Sequence, residues 1–515
     1  MSSALVTPAS EPENQEARAC GRAWLSLAVL VLPVVLVAGD MTVLGFAVPH
    51  LSADLSPTGT QLLWIVDIYS FVLAGLLVTM GTLADRIGRR RLLLLGSLGF
   101  GLASLMAAYS TSAEMLIAAR TLLGIAGATL MPATMSLLRN IFTNRRQRLI
   151  AIAAWSAGFS GGAALGPLQG GLLLEHFWWG SVFLINIPIM ALTLVLGRLL
   201  LPESRDPNPG RYDLISVLLS MGALLPVVYG MKQLAAGESG WLAMATIVSG
   251  LALGLIFVRR QLKLDNPLID VRLFALRRFR MGVITNLILT FALVAALFAL
   301  TQYLQLVLGL TPLRAGLVLL PGMALTVAAS FVAAPLARKL PMGTLLATGL
   351  TVASLGFVLM TQLPPEGGVA LVVGSFVLLG IGTGFTDTIT NDAILTAAPP
   401  QRAGAASAIS ETAYELGAAL GIAVLGSVLT AVYQLRLGTV ADVPDEAMAE
   451  ARETLGGAVV AAEDLPGELA QNLLDAAHTA FTSGVHITSL LGAMVVAGAA
   501  VQAAVVLRRS REQHG

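Results

Sequence analysis

Residues 61–109 read QLLWIVDIYSFVLAGLLVTMGTLADRIGRRRLLLLGSLGFGLASLMAAY, and this stretch decides the fold. Two apolar runs flank a short turn that holds Asp85, Arg86, Arg89, Arg90 and Arg91. A helix rises 1.5 Å per residue, so about 20 apolar residues cross a hydrocarbon core roughly 30 Å thick. The stretch therefore reads as two membrane-spanning helices joined by a charged turn on one face of the bilayer.

The same pattern continues in both directions. Of 515 residues, 56% are hydrophobic and 12% charged, against roughly a quarter charged in soluble domains. Apolar runs at 25–49, 61–83, 92–109, 113–138, 149–173, 180–200, 213–235, 241–258, 281–309, 313–337, 343–362, 369–395, 403–435 and 484–507 give fourteen spans. Net charge is +1 and gives no general attraction to nucleic acid. The single cysteine, Cys20, makes no internal disulfide and no metal cluster. Residues 1–23 carry Glu11, Glu13 and Glu16 and read as a disordered cytoplasmic tail, unlike the basic start of a signal peptide.

Lys and Arg collect on the cytoplasmic side of membrane proteins. With both termini inside, 26 of the 31 basic residues fall on that side. Lys232, Arg314, Arg436 and Arg452 fall outside, and Arg120 lies within a span. The one long outer loop, 436–482, carries nine acids and two arginines. Its stretches 445–456 and 466–480 read as short amphipathic helices, a hairpin over the outer mouth.

An internal repeat appears at an offset near 254. TLADRIG at 82–88 aligns with PLARKLP at 335–341, QR at 147–148 with QR at 401–402, and GAALG at 162–166 with GAALG at 417–421. Span 2 pairs with span 10, and span 5 with span 13. The expected organisation is a tail at 1–23, a six-helix bundle at 24–200 and two linker helices within 201–262. A second six-helix bundle follows at 263–508, with the 436–482 hairpin, then a tail at 509–515. Two parallel bundles around a midplane cavity is a transporter design.

Several motifs carry a family resemblance. GTLADRIGRRR at 81–91 resembles the loop between helices 2 and 3 of the major facilitator superfamily, and GFSGGAALGPLQGG at 158–171 resembles its antiporter motif on helix 5. DMTV at 40–43, WIVDIYS at 64–70, LINIP at 184–188 and SETAYELG at 410–417 resemble its fourteen-helix drug:proton antiporters. The likeness covers about residues 22–508. It implies a proton-coupled multidrug exporter of lipophilic cations in the bacterial cytoplasmic membrane, a monomer without cofactor or metal. Its partners are then the substrate cation, the proton and the bilayer. For the loop, the resemblance implies a gating role for Gly81, Asp85, Arg86, Gly88 and Arg89; a purely topogenic charge cluster is the competing reading. For Gly158, Gly162, Gly166, Pro167 and Gly170, four-residue spacing gives a smooth stripe for close packing or sliding, and Pro167 removes a backbone bond. The resemblance alone assigns that helix to antiport.

Ionisable residues inside a bilayer are costly and default to function. Here they are Asp40, Asp67, Arg120, Asp387, Asp392, Glu411 and Glu415. Glu411 and Glu415 share a helix face, and carboxyls kept from water beside one another can hold a proton near neutral pH. The family resemblance implies that Asp40 and Asp67 are proton or substrate sites and that Arg120 serves coupling, and Asp387 joins them as a candidate. Local capping competes for Asp67, an interfacial position for Asp392, and a structural tie for Arg120. Trp64, Tyr69, Trp155 and Tyr414 are the candidate cavity aromatics for cation–π contacts. Some relatives place an acid after the proline of span 10; here PGMALT at 321–326 ends in Thr326, which disfavours a dication needing two separated carboxylates.

Other classes fit poorly. The sequence has no P-loop, HExxH or GxSxG motif, and its five histidines are scattered. A proton gradient is then the expected driver, with sodium left open. A dedicated exporter of an endogenous antibiotic, lipid or siderophore would use the same helices.

Overall fold

The computed structural model describes residues 21–205, 213–235, 240–264, 267, 269–337, 339–397 and 403–512. The 1–20 stretch read as a tail lies outside that set, as do the side chains of Asp85, Arg145 and Arg146. Among the described residues no strand occurs.

The N-terminal bundle runs α1 (Gly21–Leu55), α2 (Gly59–Ile87), α3 (Arg89–Ala108), α4 (Ala113–Ile141) and α5 (Arg145–His176). A sixth span breaks at Ile185 into α6 (Ser181–Leu184) and α7 (Asn186–Leu200). Helix starts are written in the sequence. Thr58 and Gln61 form a reciprocal capping box on α2, and the Ser112 hydroxyl accepts from Met115 N on α4. Gly88 sits between α2 and α3 with φ +111°, a backbone state that side chains avoid. A methyl group there would also meet the Glu203 carboxylate at 2.6 Å.

The linker hairpin is α8 (Leu214–Ala235) and α9 (Gly240–Lys263). Arg260 clamps its foot, donating Nη2–H to Asp213 Oδ1 at 2.9 Å and Nε–H to Ser216 Oγ at 3.2 Å. Partial burial pushes the Asp213 carboxyl up, but the bonds from Arg260 and Ser216 outweigh it and leave it below the usual carboxylate range.

The C-terminal bundle comprises α10 (Arg277–Gln302), α11 (Pro312–Ala337), α12 (Met342–Met360), α13 (Val369–Ala397) and α14 (Ala403–Gly421). A π-turn at Ile422–Gly426 carries α14 into α15 (Ser427–Leu437). Then come α16 (Asp445–Glu453), α17 (Leu455–Glu463) and α18 (Gly467–Glu512). Thirteen helices are long and apolar enough to span a membrane. The fourteenth run expected from the sequence is α5, whose 32 residues extend about 48 Å at 1.5 Å each but which is not among those thirteen.

The outer loop differs from the sequence expectation. Thr454 ends α16 and its hydroxyl caps α17 by accepting from Gly457 N at 2.9 Å, so the hairpin is 445–453 against 455–463. The 466–480 stretch is no separate helix; it is the first part of α18, whose 46 residues exceed the bilayer. No helix-breaking residue interrupts it after Pro466.

The repeat is visible in packing. Gly162 and Gly166 let α5 lie backbone to backbone on α1 at Val35 and Gly39, and Gly417 and Gly421 let α14 do the same on α10 at Leu287 and Phe291. The largest contacts between the bundles are α5 on α11 and α2 on α14, with α1 also meeting α10. The α2–α14 seam is flanked by the linker: Val228 of α8 packs with Phe71, Ala419 and Ala423.

Candidate substrate and proton site

In the N-terminal bundle Asp40 on α1 and Arg120 on α4 form a buried ion pair through Asp40 Oδ2 and Arg120 Nη1, each side chain 1% exposed. Arg120 Nε–H also donates to the Ile65 carbonyl at 3.2 Å, and its guanidinium carbon stands 4.6 Å from the Tyr69 ring centroid. The one base inside the membrane thus ties α1, α2 and α4 together. The ion pair gives Asp40 a standing counter-charge. Asp67 on α2 is fully buried within the protein.

The C-terminal acids are arranged differently. Glu411 and Glu415 lie one turn apart on α14, and Asp387 on α13 is within electrostatic reach of Glu411. Glu415 is 1% exposed and accepts a hydrogen bond from Ser70 of α2, so it bridges the α2–α14 seam. Its Oε2 has no partner among the described residues. Glu411 and Asp387 are half-buried. None of the three forms an ion pair among the described residues. Tyr414 sits among them, within reach of Glu415, Asp387 and Glu411. Tyr69 lies near both Asp40 and Glu415, linking the two groups of acids across the seam.

Aromatic rings continue the wall. Trp155 stacks on Phe159 with centroids 6.5 Å apart, and Phe159 meets Tyr414 edge-on at 5.9 Å. Trp155 is fixed by its indole N–H donating to Thr134 Oγ1 at 3.1 Å. This ladder runs from α5 in one bundle to α14 in the other. Trp64 is not part of it: it faces Tyr229 of the linker helix, 6.5 Å away. Asp392 is exposed. Thr326 is spent on helix packing, its hydroxyl donating to Gly322 O at 3.0 Å.

The glycine stripe of α5 faces its own bundle. A methyl group at Gly158 would meet Val31 at 2.5 Å, one at Gly170 would meet Val43 at 2.7 Å, and Gly166 rests on Gly39 and Thr42. Contact with the other bundle comes from the next residues round the helix: the Pro167 carbonyl and Gly171 lie against Gly316 and Leu313 of α11. The arginine loop also holds its own bundle. Arg89 N donates to Ser204 O at 2.9 Å, Arg90 N to Glu203 Oε1 at 3.2 Å, and Arg90 and Arg91 stand 3.7 and 3.8 Å from the Glu203 carboxylate. Gly81 packs near Pro132 of α4, and Arg86 is exposed. The expected Asp85 latch falls on a side chain outside the described set.

Sequence reasoning did not single out Ser70, Asn286, Asn391 or Ser410, all of which touch the acids directly or in a chain. For Asn391 a signal existed, since Asp387 and Asn391 are four apart on one helix face.

Comparison with known proteins matches this architecture to a family. The Major Facilitator Superfamily model matches residues 30–422. The chain is 47% identical over 488 residues to the multidrug efflux pump LfrA of Mycolicibacterium smegmatis, covering 95% of this chain and 97% of that one. It is 40% identical to the methyl viologen resistance protein SmvA of Salmonella typhimurium (89% and 93% covered) and 31% identical to a tetracenomycin C resistance and export protein of Streptomyces glaucescens (93% and 91%). Among solved structures, a bacterial homolog to the human lysosomal transporter Spinster, inward-facing and unoccupied, aligns with a TM-score of 0.66 at 15% identity, covering 95% of this chain and 98% of that one. That likeness speaks for the fold. With the family model spanning most of the chain and efflux pumps related along nearly its full length, this multi-pass membrane protein belongs to the drug exporters of the major facilitator superfamily.

Proposed function

We propose that the chain is a proton-coupled multidrug antiporter that exports lipophilic cations across a bacterial cytoplasmic membrane, with both termini in the cytoplasm. The observation that carries this reading is the group of Asp387, Glu411 and Glu415 around Tyr414, which has no ion pair among the described residues. Carboxylates out of water need a compensating positive charge. A proton serves, and so does a greasy cation held against Tyr414 and Phe159. Each favours a state the other disfavours, which is all that exchange requires. Asp40 already has Arg120 beside it, so its place is in coupling the α1–α4 contact to Tyr69 and the Glu415 seam.

The test is proton release. Adding tetraphenylphosphonium to purified protein in weak buffer should release protons from the wild type. Glu411→Gln or Glu415→Gln should abolish the release while leaving the melting temperature unchanged. Unchanged release from both variants overturns the reading, and release replaced by sodium displacement assigns the coupling ion to sodium.

Methyl viologen, named for a relative 40% identical, is a dication, and Thr326 in place of an acid disfavours a substrate that needs two separated carboxylates; its efflux tests that expectation. A dedicated antibiotic exporter is the second reading, favoured by the tetracenomycin C relative at 31% identity. Efflux of ethidium and norfloxacin by cells with and without the protein separates the two.

A further inference from the structure

We propose that Asn391 is a positioning residue that holds the half-buried Asp387 carboxylate as the acid receiving the cation, with Ser410 and Asn286 behind it. This rests on the cation-exchange reading above and assigns roles within it.

Three polar side chains on three helices form a chain that ends on one carboxylate. Asn391 Nδ2–H donates to Asp387 Oδ1 at 2.9 Å, one turn away on α13. Asn391 Oδ1 accepts from the Ser410 hydroxyl of α14 at 3.1 Å. Ser410 Oγ accepts in turn from Asn286 Nδ2–H of α10 at 3.3 Å, and Asn286 also reaches the Ser410 carbonyl at 3.4 Å. Asn286 and Ser410 are 2% and 7% exposed.

The Ser410 hydroxyl receives the Asn286 amide and gives its own proton to the Asn391 carbonyl, and the Asn391 N–H₂ faces Asp387. Every donor therefore points toward the carboxylate, and aligned hydrogen bonds reinforce one another in a low-dielectric interior. A bond to an ionised acceptor is roughly twice as strong as a neutral one. Burying amides and a hydroxyl among apolar helices is costly unless they are bonded, and here the bonds end on an acid. One oxygen of Asp387 is tethered and the residue is half-buried, open enough to meet a ligand. Glu415 is sealed in the seam and tied to Ser70. The geometry thus separates the roles: Asp387 meets the cation, and Glu415 carries the proton.

A double-mutant cycle on the full-length purified protein tests this, with the tetraphenylphosphonium dissociation constant as readout. Asn391→Leu should weaken binding about tenfold, raising KM in proteoliposomes with little change in kcat. Asp387→Asn should weaken binding at least as much. The double variant should bind no worse than Asp387→Asn alone, because Asn391 acts through Asp387. Ser410→Ala, which keeps the Asn391–Asp387 bond but frees its far end, should give a smaller loss in the same direction. It stands in for Asn391→Leu in the cycle if that variant fails to fold. Additive losses, or an equal fall in kcat and melting temperature without a change in KM, overturn the proposal in favour of helix bracing. Wild-type affinity in Asp387→Asn also overturns it, while leaving intact the antiport reading, which stands on proton release through Glu411 and Glu415.

Discussion

The two bundles are related by an internal repeat, yet they treat buried acid in opposite ways. In the N-terminal bundle Asp40 meets Arg120 in an ion pair with both side chains 1% exposed, and the arginine is further engaged by the Ile65 carbonyl and the Tyr69 ring. In the C-terminal bundle Asp387, Glu411 and Glu415 cluster near Tyr414 without an ion pair among the described residues, Asp387 bonded to Asn391 and Glu415 to Ser70. The Asp40–Arg120 pair is electrically closed and suits a rigid frame. The C-terminal cluster is short of positive charge and suits exchange of a mobile cation. Tyr69 lies near both Asp40 and Glu415, beneath the Arg120 guanidinium, and so stands between the frame and the exchange site.

The largest effect expected from this contrast is on stability. Arg120→Ala leaves Asp40 buried without its counter-charge, and removing one member of a buried pair costs about 3–5 kcal/mol. Thermal unfolding in detergent should show that loss. Arg120→Met combined with Asp40→Leu, which removes both charges and keeps apolar volume, should recover most of it. A single variant as stable as the wild type would mean the N-terminal pair is no frame at all, and the contrast would vanish.

A smaller effect is expected on affinity in the other half. Tyr414→Ala removes the ring that stands among the three acids and ends the Trp155–Phe159 ladder. Cation–π contacts contribute about 0.5–2 kcal/mol, so tetraphenylphosphonium binding should weaken roughly 2- to 30-fold. Tyr414→Phe should stay near the wild type. Equal losses from both variants would put the hydroxyl, not the ring, in charge of the site.

Much of this was legible in the sequence because bilayer physics writes in long strokes. Spans, the arginine bias, the repeat and the intramembrane acids all follow from composition along the chain. Partners were not legible. Arg120 lies 80 residues from Asp40, and nothing local distinguishes an arginine that meets an acid from one that meets a carbonyl. The α5 glycines announced close packing but not that α1 would fill the groove. Asn391, Ser410 and Ser70 look like ordinary polar residues in apolar helices until the fold sets Asn391 on Asp387, Ser410 behind Asn391, and Ser70 on Glu415. The hairpin boundary was misplaced because an amphipathic stretch reads the same whether it stands alone or continues into a span.

The smallest expected effect comes from a third ion pair, which shows how far depth in the membrane controls the outcome. Asp213 and Arg260 meet at 2.9 Å at the foot of the linker hairpin, with side chains 16% and 33% exposed. The chemistry matches Asp40 and Arg120, but water screens this pair, and exposed pairs contribute about 0–1 kcal/mol. Asp213→Asn should therefore lower stability by less than about 1 kcal/mol and leave cation affinity unchanged. The folded carboxyl lies below its unfolded value, so the contribution is complete at neutral pH and fades as the pH falls through the acidic carboxylate range. The difference in melting temperature between wild type and Asp213→Asn should shrink toward zero under those acidic conditions. A loss as large as that of Arg120→Ala would show that the linker foot is as dry as the bundle interior, and depth would no longer explain why one pair is a frame and the other a trim.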